Sequence, residues 1–88
     1  MSVSLSLAAY VTAVDTDGGA MVLLDERTGT YRQLNPTGAF VLRLLLRGAS
    51  TGDAAAALAE RYPQAVARAA EDVARLVEAL RRAGLLRD

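Results

Sequence analysis

Residues 23–46, LLDERTGTYRQLNPTGAFVLRLLL, constrain the fold more than any other stretch of this chain. An apolar strand, AMVLLD, runs into ERTG, where Gly29 takes the left-handed position of a short hairpin loop. The return strand, Thr30 to Leu34, has room for only about five residues before Asn35-Pro36 stops it. Asn is a preferred N-cap and Pro fits the first helical turn, where its missing N–H costs nothing. The chain therefore passes from a hairpin straight into a helix, and nothing later in it reads as a strand for the hairpin's outer edge. Such an edge exposes unpaired backbone donors and acceptors, which proteins usually cover or blunt.

The flanking segments complete an α+β order. Val3, Leu5 and Leu7 alternate with serines, and Tyr10, Thr12 and Val14 alternate with Val11 and Ala13, which predicts extended chain. DTDGG at 15–19 supplies a turn before AMVLLD. That second strand is apolar at consecutive positions, so both faces should be covered, the second by VSLSL or by a partner protein. The first helix is expected over Pro36–Arg47, with Phe40, Val41, Leu44 and Leu45 inward and Gly48 as its cap. A second begins at Ser50 or Thr51 and runs to Tyr62. A third, roughly Ala65–Arg82, carries Val66, Ala70, Val73, Leu76, Val77 and Leu80 as an amphipathic stripe. Leu85-Leu86 should fold back on the core. Three strands forming an antiparallel sheet, then three helices, in one domain of 88 residues, make an α+β fold.

Composition removes several classes of function. There is no Cys and no His, hence no thiolate nucleophile, zinc knuckle or imidazole base. All ten basic residues are Arg, so no Lys is present for a Schiff base, and ten acids balance them. The acidic pairs Asp15/Asp17, Asp25/Glu26 and Glu71/Asp72 read as turn formers and a solvated helix face. Catalysis is not expected, nor are a cofactor or a metal. No signal peptide or membrane span is apparent, which predicts a cytoplasmic chain. A DNA-reading helix is disfavoured: Glu71, Asp72 and Glu78 interrupt Arg68, Arg75, Arg81 and Arg82, and the spacing suits i,i+4 ion pairs.

AMVLLDERTGTYRQLNPTGAFVLRLL, ALAERY and DVARLVEALRRAGLL, taken in order, resemble the PqqD-like family, the precursor-recognition elements of ribosomal peptide natural-product pathways. Within it, the all-Arg, Ala-rich form looks most like the stand-alone leader-binding proteins of lasso-peptide clusters. The resemblance implies a winged helix-turn-helix-like fold that binds a precursor's leader peptide without catalysis. It also implies delivery to a separate leader peptidase, with a macrolactam synthetase as a further partner. A PqqD-type chaperone serving another modifying enzyme is the alternative within the family, and a winged-helix DNA-binding protein the alternative outside it. Neither nucleic acid nor membrane is an expected partner, and the protein is expected as a monomer or weak dimer.

The short return strand is where such a peptide could add by main-chain pairing. Along it Tyr31 and Gln33 point to one face and Thr30, Arg32 and Leu34 to the other. The third helix is the natural wall of the groove, with Val73, Leu76, Val77 and Leu80 as candidate apolar contacts and Asp72 and Arg75 flanking them. These eleven residues form the expected leader-binding site.

Overall fold

The computed structural model describes residues 5–87. Its elements are β1 (Ser6–Leu7), β2 (Val11–Asp15), β3 (Met21–Asp25), β4 (Thr30–Leu34), α1 (Pro36–Leu46), α2 (Thr51–Arg61), α3 (Ala69–Arg82) and β5 (Leu86–Arg87). β2, β3 and β4 form an antiparallel meander with β3 at its centre. Three helices follow, so the α+β, winged helix-turn-helix-like expectation holds.

The predicted start signals act as read. The Asn35 side chain accepts the Gly38 N–H at 2.8 Å, and Pro36 opens α1. Ser50 accepts the Asp53 N–H at 3.0 Å and opens α2. Gly48 closes α1 with φ +101°, a left-handed conformation that costs a glycine little.

Four expectations need correction. The N-terminal extended segment is broken by a turn at Ala9–Tyr10, and Ser6–Leu7 pairs with Leu86–Arg87 as a separate two-stranded sheet. Val3 and Ser4, which the alternation also included, lie outside the described residues. This pairing brings the first and last described residues together, with Leu5, Leu85 and Leu86 in the core. The described part of VSLSL, residues 5–7, therefore does not cover the second face of β3. Val22 and Leu24 on that face are half-buried, flanked by exposed Val14 and Tyr31.

α1 buries more of its circumference than predicted, because elements pack on several sides of it. Ala39, Val41, Leu42 and Leu45 are buried, whereas Phe40 and Leu44 are only partly so. Phe40 instead meets Tyr62 edge-on, with ring centroids 5.9 Å apart.

α3 starts four residues later than expected. Pro63 opens a 3-10 turn over Pro63–Ala65, and Arg68 has non-helical φ/ψ, leaving Val66 exposed and outside the stripe. Ala70 is exposed as well. The buried stripe of α3 is Ala69, Val73, Val77 and Leu80.

Candidate functional site

β4 pairs with β3 on one side, and among the described residues no strand pairs with its other side. Which of its backbone groups face that open edge follows from the register. The N–H of Glu26 bonds the Tyr10 carbonyl and that of Thr16 bonds the Ala20 carbonyl, so β3 points Val22 and Leu24 at β2. Antiparallel ladders alternate, which leaves Met21, Leu23 and Asp25 to bond β4 through Leu34, Arg32 and Thr30. The backbone N–H and C=O of Tyr31 and Gln33 consequently face the open edge. The side chains of these two residues lie on the outer face of the sheet and are exposed.

The other face of β4 turns inward, where Thr30 and Arg32 share a hollow with Ala83 at the end of α3. Leu34 is buried, whereas Thr30 and Arg32 are exposed. Two hollows lie along this flank. At the end of β4, a cleft of about 380 Å³ is bounded by Asn35, Gly38 and Val41 on one side and by Asp72, Leu76 and Ala79 of α3 on the other. Leu58 and Ala65 also line it, so the cleft is mainly apolar. At the start of β4, a smaller, more polar hollow of about 210 Å³ is bounded by Thr30, Arg32, Asp25, Ala83 and Leu85. A further apolar hollow between α2 and α3, lined by Ala55, Ala70, Ala74 and Val77, lies on the opposite side of α3 from the strand edge.

A side-chain clasp joins the β3–β4 turn to the end of α3. Asp25, only 5% exposed, receives two bonds from the Arg27 guanidinium, at 3.1 Å to Oδ1 and 2.8 Å to Oδ2, and a third from the Arg27 backbone N–H at 3.0 Å. These bonds hold the Asp25 carboxyl below the usual carboxylate range against the opposing effect of burial. The guanidinium stacks 3.8 Å from the Tyr10 ring centre, and the Tyr10 hydroxyl donates to the Gly84 carbonyl at 2.6 Å. Gly84 has φ +76°, and a Cβ there would lie 3.0 Å from the Arg27 guanidinium. The clasp thereby sets where the hairpin stands relative to α3.

The eleven expected site residues divide. Thr30, Tyr31, Arg32, Gln33 and Leu34 form the open-edged strand, and Asp72, Arg75 and Leu76 line the cleft beside it. Val73, Val77 and Leu80 do not: they are 1%, 6% and 0% exposed and belong to the core. The face that lines the two hollows lies about one residue round the helix, through Asp72, Leu76 and Ala79 at the cleft and Ala83 at the smaller hollow. Sequence reasoning missed Ala79 and Ala83 because a small side chain gives no hydrophobic signal. It also missed Gly38 and Val41, read only as helix residues, although the Asn-Pro start of α1 directly after β4 was a usable sign. Arg75 pairs with Glu71 at 2.6 Å and Arg82 with Glu78 at 2.8 Å, whereas Arg32 has no ion-pair partner among the described residues.

Among the described residues, no group of three or more His, Cys, Asp or Glu is placed to hold a metal, and no helix is long and apolar enough to cross a membrane. Curated proteins offer no match to the chain. Two solved structures do. One is described as lasso peptide synthetase B1 complexed with the leader peptide; it shares 37% identity, covers 98% of this chain and 100% of its own, and superposes with a TM-score of 0.87. The other, TbiB1 in complex with the TbiA(β) leader peptide, shares 26% identity over 92% of this chain and 93% of its own, with a TM-score of 0.80. The family model for coenzyme PQQ synthesis protein D matches residues 20–86, from just before β3 to β5. This chain belongs to the PqqD family.

Proposed function

We propose that this protein binds the leader segment of a ribosomally made precursor, of the lasso-peptide kind, without itself catalysing a reaction, and delivers it to a separate leader peptidase. The leader adds as a strand to the outer edge of β4 and packs against the Asp72–Leu76–Ala79–Ala83 face of α3. The observation that carries this reading is the open β4 edge, with the Tyr31 and Gln33 backbone groups directed outward beside an apolar cleft. Both structural relatives are complexes with leader peptides, which supports the same class of ligand here.

Main-chain pairing and side-chain burial contribute together. One or two apolar leader side chains entering the cleft would give roughly 1.5–3 kcal/mol each. Ordering a flexible segment costs about 2–5 kcal/mol, so the backbone bonds at Tyr31 and Gln33 are needed for affinity near micromolar, about −8 kcal/mol. DNA reading by α3 is less well supported, because Arg75 and Arg82 are engaged by Glu71 and Glu78 on the same helix.

Amide hydrogen exchange tests the reading with a synthetic leader peptide of a candidate lasso-type precursor. Saturating peptide should slow exchange at Tyr31 and Gln33 well beyond any change at Arg32, whose N–H already bonds β3. A bound leader that left Tyr31 and Gln33 exchanging at their free rates would refute strand addition. No binding at all would refute the leader reading.

A further inference from the structure

We propose that the recognised leader carries a bulky apolar residue opposite Leu34 and, two residues closer to its C-terminus, an acidic residue opposite Arg32. This deepens the leader-binding reading and rests on it.

The register supplies the spacing. A guest strand bonding the Tyr31 and Gln33 backbone groups faces Leu34, Arg32 and Thr30 across non-hydrogen-bonded pairs, where opposed side chains approach closest. Cross-strand neighbours share a face, so the guest residues at these positions point toward α3. Opposite Leu34 the guest side chain meets the apolar cleft bounded by Gly38, Val41, Leu58 and Leu76. Opposite Arg32 it meets the smaller polar hollow.

Charge supplies the chemistry. Of the arginines bordering this flank, Arg27 is held by Asp25, Arg75 by Glu71 and Arg82 by Glu78. Arg32 has no ion-pair partner among the described residues, so its guanidinium is available to a guest carboxylate. At the other end of the flank stands Asp72, half-buried beside the apolar cleft and without a side-chain partner among the described residues. It disfavours an acid there.

Direction comes from the sheet. Both of its existing pairings are antiparallel, and antiparallel pairing is the more stable per residue. The guest therefore runs from the Leu34 end to the Thr30 end, placing the apolar residue first and the acid second.

Selection from a random library of mRNA-displayed dodecapeptides tests this without knowledge of the natural leader. The expected consensus is apolar-x-acidic, and replacing the selected acid by its amide should weaken binding roughly two- to fivefold, as for an exposed ion pair. Arg32→Glu, at an exposed position, should shift the consensus to apolar-x-basic, and Arg32→Gln should abolish the charge preference. Peptides that compete for one site but show no acid at this spacing, or the same consensus from Arg32→Glu, would overturn the proposal while leaving peptide binding intact. An acid enriched two residues before the apolar position would overturn the antiparallel direction. Failure to select any peptide would instead count against leader binding itself, and the proposal would fall with it.

Discussion

Proline placed at adjacent positions of β4 separates the edge from the interior of the sheet. In Gln33→Pro the lost N–H is one directed at the open edge, so the β3–β4 ladder keeps all its bonds, and proline is tolerated where its donor would face outward. A leader carbonyl that met this N–H would lose its partner. The cost is about 1–3 kcal/mol, or roughly 5- to 150-fold in Kd. In Arg32→Pro the lost N–H is one that bonds the carbonyl of Leu23, a residue 0% exposed, which leaves a buried acceptor unpaired. A destabilisation of about 2 kcal/mol would lower Tm by about 8–16 °C in a domain of this size. Fluorescence anisotropy of labelled leader reads the first effect and thermal unfolding by circular dichroism the second. Gln33→Ala controls for the exposed side chain and should bind almost normally. A folded Gln33→Pro that bound leader like the parent would refute strand addition at β4. Equal destabilisation by both prolines would refute the assignment of which groups face outward.

Leu76→Asp should weaken leader binding tenfold or more with a modest change in Tm, since Leu76 lines the cleft and is only half-buried. Leu80→Ala, at a fully buried site, should cost about 2–5 kcal/mol of stability while any protein that remains folded still binds; urea unfolding and anisotropy distinguish the pair. The depressed Asp25 pKa contributes stability that is complete above the ordinary value of 3.8 and is lost as pH falls through the lower folded-state value. Acid titration of stability should show this loss in the parent and not in Asp25→Asn, which should be the less stable protein at neutral pH. Gly84→Ala should destabilise by about 1 kcal/mol or more, because alanine is strained at φ +76° and its Cβ crowds Arg27, and should blur amide signals of the β3–β4 turn in NMR spectra.

Local chemistry made several features readable in advance. Gly29 in its loop, the Asn35-Pro36 start and the Ser50 cap act through atoms within a few residues, so their geometry is written in adjacent positions. The stripe Val73, Val77, Leu80 was visible for the same reason, since helical period alone aligns it. The family likeness was legible too, carried by the order of these local pieces.

By itself the sequence determined the order of the three sheet strands and three helices, the short β4 and the absence of His, Cys and Lys, because these depend on residue identity and near-neighbour geometry. Tertiary structure alone decided which face of α3 lines the hollows: of the expected Val73, Leu76, Val77 and Leu80 only Leu76 lines the cleft, joined by Ala79, while Ala83 borders the smaller hollow. It also decided that Ser6–Leu7 and Leu86–Arg87 pair with each other, away from the β4 edge, which no strand pairs among the described residues. Helical periodicity gives the angle between side chains on a helix but not the direction in which its neighbours pack, and two-residue strands gain their identity only from a partner distant in the chain.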